Sequence, residues 1–154
     1  MDTEKKNIFD EFVLTTIGAF NMKHGLFGNI FYFPEINSLD LATWADDKER
    51  GKVMQVVADM CLKNCLSYFI FASEAWISTY TEEEVELAKK LTGHTPRPSQ
   101  DPKKKEVVIC TFVSKKEAFA SCAPIIDVMG KRLLGEWADL PSENMTSAWQ
   151  ECFV

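Results

Sequence analysis

Between Leu66 and Ile77 the chain reads Leu-Ser-Tyr-Phe-Ile-Phe-Ala-Ser-Glu-Ala-Trp-Ile, and no other run constrains the fold as tightly. Aromatic and β-branched residues at this density suit a central strand. By strand alternation Tyr68, Ile70, Ala72, Glu74 and Trp76 share one face, and Phe69, Phe71, Ser73, Ala75 and Ile77 share the other. The most apolar part, Cys65 to Ala72, is about a third of the length a bilayer-spanning helix needs, so a buried strand is expected. A strand apolar on both faces needs cover on both. Helices on one side alone would leave the other face as an interface, unless the protein is built in three layers.

Helices are expected ahead of this strand. From Asn7 to Phe20, apolar residues at Ile8, Phe9, Phe12, Val13, Ile17 and Phe20 recur at steps that mark one helical face, with Asp2 or Thr3 near the start and Gly25 past the end. A second helix is predicted from about Asp47 to Lys63, with Val53, Val56, Val57, Met60 and Cys61 as its stripe and Asp46, Asp47 and Glu49 at its positive end. Thr81 followed by Glu82, Glu83 and Glu84 resembles a capping box and opens a short helix through Leu91, closed by Gly93.

Strands fill most of the rest. Leu26 to Phe33 reads as a strand stopped by Pro34, and Glu35 to Asp47 as loop with a turn or two of helix. His94 to Lys105 holds three prolines and is expected to be extended and irregular. Glu106 to Val113 is the clearest strand, and Ser114-Lys115-Lys116 turns it into Ala118 to Ala123. Ile125 to Val128, a turn at Gly130, and Leu133 to Ala138 continue the pattern. Met145 to Val154 suits a short helix or a last strand equally. The expected fold is α+β: one domain over residues 1–154, with a mainly antiparallel sheet of four to six strands and two or three helices packed on one face. A doubly wound nucleotide-binding fold is disfavoured, because Gly25-Leu26-Phe27-Gly28 precedes its strand and lacks the glycine spacing.

Charge and cysteine usage narrow the setting. At 154 residues and a net charge of -6, the chain is a single domain with the wrong sign for a general nucleic-acid binder. Its polar, partly acidic N-terminus has no uninterrupted apolar run behind it, so no signal peptide and a cytoplasmic protein with no membrane association are expected. The five cysteines, Cys61, Cys65, Cys110, Cys122 and Cys152, then read as reduced thiols. Cys61 and Cys65 could share a helical face, but His24 and His94 are isolated, so core packing is expected in place of a metal site, and no cofactor is implied.

Complete catalytic motifs are missing: there is no phosphate-binding Gly-rich loop, no HExxH, no nucleophile elbow and no paired CxxC. Two features carry chemistry short of that. Glu74 interrupts an apolar strand and must be exposed, paired or held neutral; the choice lies between a general base or cation ligand and a sheet-face residue paired with a basic side chain. Arg97 to Lys116 carries six basic residues against two acidic ones, on a body that is acidic before Arg97. Lys103, Lys104 and Lys105 could meet phosphates, or could simply protect and solubilise a hairpin. If the strand ending near Ile77 pairs antiparallel with the one starting near Glu106, Glu74 comes close to Glu106 and to the Arg97–Lys105 segment, and a cation from Lys104 or Arg97 could neutralise it.

The stretch Ser73-Glu74-Ala75-Trp76, followed by Arg97-Pro98-Ser99-x-Asp101-Pro102-x-Lys104-x-Glu106-Val107-Val108, resembles a set of small bacterial and phage proteins. In these, one strand ends in Ser-Glu-Ala-Trp and another opens with Pro-Ser-x-x-Pro-x-Arg-x-Glu. The likeness covers about a quarter of the chain, and Lys104 stands where the pattern usually has Arg, which keeps the charge and loses the bidentate fork. It implies a shared fold and a bacterial or phage origin, and no activity. The candidate surface is therefore Glu74, Trp76, Arg97, Ser99, Lys104 and Glu106. The function expected first is non-enzymatic: binding of a protein partner or of a second copy. An enzyme using Glu74 with the basic segment on a phosphate- or nucleotide-containing substrate is the alternative, and a nucleic-acid accessory protein the second.

Overall fold

In a computed structural model, which describes residues 2–77, 81–93, 105–140 and 147–153, the chain opens on helix α1 (Thr3–Lys23). Asp2 caps it by accepting the Lys5 N–H at 2.8 Å, and Lys23 in the last turn faces the negative end of the helix. Its buried stripe is Phe9, Phe12, Val13, Thr16 and Phe20; the Thr16 hydroxyl is satisfied by donating to the Phe12 carbonyl at 2.8 Å. Strand β1 (Asn29–Phe33) ends in a 3-10 turn at Pro34–Ile36, and Asn37, at φ 48°, turns the chain back into β2 (Ser38–Ala42). The sequence reading placed a loop here. Ser38-Leu39-Asp40-Leu41-Ala42 does alternate, but it is short, two of its five residues are polar, and as an edge strand it buries none of them.

Helix α2 (Asp47–Lys63) begins where expected, because Asp46 accepts the Glu49 N–H at 2.8 Å and Glu49 reaches back to the Ala45 N–H at 2.7 Å. Strand β3 (Tyr68–Ile77) is followed by α3 (Glu82–Thr92), capped by Thr81 and ended by Gly93 at φ 79°. The remaining elements are β4 (Lys105–Ser114), β5 (Ala118–Val128), β6 (Lys131–Leu134), β7 (Ala138–Asp139) and a 3-10 helix (Ala148–Phe153). This last element resolves the C-terminal ambiguity in favour of helix. The segment His94–Lys104, expected to be irregular, lies outside the described residues.

All pairings are antiparallel, in the order β2-β1-β3-β4-β5-β6, with β7 also on β5. The α+β class and the antiparallel sheet are as expected; the placement of the helices on one face is not. Alternate residues Tyr68, Ile70, Ala72, Val108, Cys110 and Phe112 pack against Phe9, Phe12, Val13 and Phe20 of α1. Phe69, Phe71, Phe31, Phe33 and Val113 point the other way, onto Val57 and Cys61 of α2 and onto Trp149 and Cys152 of the C-terminal 3-10 helix. The reason lies in β3 itself. Its Phe69 and Ile70 are neighbours in sequence, lie on opposite faces and are both fully buried, so a layer is required on each side. Among the described residues, no helix is long and apolar enough to cross a membrane.

The end of α2 holds an unusual residue. The Leu66 N–H donates to the Cys61 carbonyl at 2.9 Å and the Cys65 N–H to that of Leu62 at 3.3 Å, leaving Cys65 left-handed at φ 52°, where glycine is usual. Cys65 is also exposed, against the expectation of core packing, whereas Cys61, Cys110, Cys122 and Cys152 are buried. Burial, helped by the nearby Cys152, pushes the Cys61 thiol up to about 12; burial pushes Cys110 up to about 12 and Cys152 to about 11. Titration with a disulfide reagent is therefore expected to modify one thiol rapidly in the native protein and all five in denaturant; loss of the fast phase in Cys65→Ser confirms the assignment, and its persistence contradicts it. Cys65→Gly is expected to raise stability by about 0.5–1 kcal/mol in urea unfolding, through relief of the left-handed backbone less the added chain entropy.

Candidate functional site

Glu74 and Glu106 come from adjacent strands, with Trp76 paired opposite Glu106 and Glu74 opposite Val108. Both carboxylates therefore rise from the sheet face that α1 covers, just past the end of that helix. The third member is Arg132, which the sequence reading did not single out. The β5–β6 hairpin turns at Met129-Gly130, with φ 53° and 82°, and sets Arg132 opposite Asp127 on that same face. The Arg132 Nη2 donates to Glu74 Oε1 at 2.7 Å and also to Glu106 Oε1.

Further contacts hold the guanidinium. Its Nη1 donates to the His24 carbonyl at 3.4 Å, the Arg132 carbonyl meets His24 Nδ1 at 3.0 Å, and its Cζ lies 5.6 Å from the Phe20 ring centre. Asn21 Oδ1 accepts the Leu134 N–H at 3.0 Å. A Cβ on Gly25 would stand 3.4 Å from Nη1, so the chain leaving α1 passes close over the guanidinium. Partial burial pulls the Arg132 value down, but the hydrogen bond and charge of Glu74, with those of Glu106, outweigh it and raise the value overall. The cluster joins the end of α1 to β3, β4 and β6.

Several of the expected site residues meet here and others do not. Glu74 and Glu106 are brought together, as the antiparallel pairing predicts, and Trp76 is on the same face, 44% exposed. Among the described residues the cation beside Glu74 is Arg132; Arg97 and Lys104, the cations expected there, lie outside the described residues, as do Ser99 and Lys103. Lys105 pairs opposite Ile77, so strand alternation sends it to the other face of the sheet from Glu74. The signal that could have found Arg132 is the two-residue turn at Gly130, which fixes its parity relative to Asp127. Which strand β5 then joins is not written locally.

Chemically the arrangement is a clamp. Each carboxylate already has the guanidinium as partner, so neither stands ready as an unpaired base. A separate cleft of about 570 Å³ lies where α2 ends beside the β4–β5 hairpin, with Cys61, Cys65, Cys152, Lys5, Lys115 and Lys116 on its walls. The raised values of Cys61 and Cys152 keep both as thiols at neutral pH, so neither serves as a thiolate nucleophile there. Among the described residues, no group of three His, Cys, Asp or Glu side chains is placed to hold a metal. Comparison of the chain with family models, with curated proteins and with solved structures finds no match.

Replacing Arg132 tests the clamp. Arg132→Met leaves two neighbouring carboxylates without their shared cation and is expected to cost about 1–2 kcal/mol in urea unfolding, the moderate value reflecting side chains that are about a third exposed. Adding Glu74→Gln and Glu106→Gln to that variant is expected to recover most of the loss. No recovery would mean that the arginine acts by packing on Phe20 alone.

Proposed function

We propose that this chain acts by binding a protein partner, without chemistry of its own, and that the partner lands on the strip of sheet formed by β1 and β2. The observation that carries this is an uncovered apolar surface on the same face as α1. Ile30 pairs opposite Leu41 and Tyr32 opposite Leu39, so all four side chains project to that face. Leu39 is 60% exposed and Leu41 65%, while Ile30 and Tyr32 are half-buried. Phe12 of α1 stacks on Tyr32 at 5.8 Å, which makes the helix the wall of the strip and the two strands its floor.

Isolated exposed leucines need no explanation, but aligned rows on a flat edge do. An outward-facing edge strand of this kind also invites association, and natural edges are usually protected by lysine, proline or a bulge. β2 carries none of these; its one charged residue, Asp40, points to the opposite face. The enzyme alternative loses support, since Glu74 and Glu106 are both engaged by Arg132.

A photo-crosslinking amino acid placed at Leu41 tests this reading in cells that express the protein. Discrete adducts are expected from position 41 and none from the exposed control position Glu136. Absence of adducts at 41, or equal yield from both positions, would remove it.

A further inference from the structure

We infer that the occupant of the β1–β2 strip is helix α3 of a second copy of the chain; this rests on the reading of the strip as a binding surface. Helix α3 is amphipathic, and its apolar side is half-buried at Val85 and Ala88 and exposed at Leu87 and Leu91. Val85, Leu87, Ala88 and Leu91 fall within roughly 160° of the helical wheel, with Glu82, Glu83, Glu86, Lys89 and Lys90 across from them; Glu84 shares the apolar side, in the first turn, where its carboxylate accepts from the Thr81 hydroxyl. Leu87 is 59% exposed and Leu91 75%, and no residue of the helix is buried. A helix of this length is marginal by itself in water and is ordinarily held by a packed apolar face.

The helix and the strip match in length. Eleven residues of helix measure about 16 Å. Five residues of strand, the length of both β1 and β2, also measure about 16 Å. The β1 row, Ile30 and Tyr32, already packs on the α1 core, so the open part of the floor is the Leu39–Leu41 row of β2, which a helix about 10 Å across would cover from beside α1. Laid there, α3 would run beside α1 and complete the helical layer on that face.

The seat suits a second copy better than the helix's own chain. Strip and helix lie apart within one copy, as the exposure of both surfaces shows. The five Cα steps from Ile77 to Glu82 reach at most about 17–18 Å. The way back along β3 from Ile77 to Ser73, level with the start of the strip, uses about 13 Å of that. Little remains for lifting the helix over the sheet and moving it sideways past β1. A second copy has no such limit. Placed about a two-fold axis, each copy seats its α3 in the strip of the other, so the contact is made twice. One short helix falls below the roughly 1,200 Å² of a stable interface, and doubling the contact brings the pair toward it.

Light scattering coupled to size exclusion reads the result. The wild-type chain is expected at twice its 17.5 kDa mass at high concentration and to dissociate on dilution. Leu39→Glu with Leu41→Glu, and separately Leu87→Glu with Leu91→Glu, are each expected to give monomers with unchanged circular dichroism, since all four positions are exposed. Mixing the two variants is expected to restore a weaker dimer, because the intact helix of one fits the intact strip of the other. The crosslinker at Leu41 is expected to join the segment Glu82–Thr92 of a second copy. A monomeric wild type whose crosslinker captures a different protein overturns this inference and leaves the strip as a binding surface; a wild type without adducts overturns both. Adducts to Ser38–Ala42 of a second copy, or adducts to α3 at monomer mass, overturn the helix seat.

Discussion

Strand β3 is apolar on both sides, and everything else in the molecule answers to that. Phe69 and Ile70 are consecutive and fully buried, so the sheet cannot present one face to water along its middle. Covering two faces takes two layers: α1 on one, α2 with the C-terminal 3-10 helix on the other. The aromatic side chains do much of the filling. Phe31, Phe69, Phe71 and Trp149 meet at ring distances of 5.2–6.4 Å on the α2 face, and Phe9, Phe112 and Phe119 at 4.7–4.9 Å on the α1 face.

One helix cannot cover six strands. A helix is about 10 Å across and a six-stranded sheet more than twice that. α1 lies over β3, β4 and the far strands and on the near side reaches β1, at Ile30 and Tyr32, but not the leucines of β2. The uncovered strip on β1 and β2 thus follows from the same demand for burial that builds the rest of the core. The fold supplies one more amphipathic helix, α3, and leaves its Leu87 and Leu91 facing water.

The polar cluster at the opposite edge has a different cause. Past the end of α1 the face opens to solvent, and Glu74, Glu106 and Arg132 take over where apolar packing stops. Sharing one guanidinium between two carboxylates ties β6 to β3 and β4, strands that are not its neighbours in the sheet. The contacts to His24 and Phe20 add the helix to that tie.

Much of this was legible residue by residue. Asp46 and Glu49 mark the start of α2, Thr81 and Gly93 bracket α3, and the density of aromatics marks β3, because caps and strand propensity act within a few residues. The pairing of β3 with β4, and with it the meeting of Glu74 and Glu106, could be anticipated from two long strands joined by one connection. β2 is not legible in the sequence because it is a short edge strand with no buried residue, and five residues with two leucines carry too little apolar signal to tell it from loop. What the sequence by itself determined is where elements begin and end and which side of each is apolar. Only the tertiary structure decided that the helices divide between two faces, that Arg132 is brought against Glu74 and Glu106, and that Leu39 and Leu41 remain in water. Those outcomes depend on strand order and on how far one helix reaches across a sheet, distances that exist only once residues a hundred positions apart are packed together.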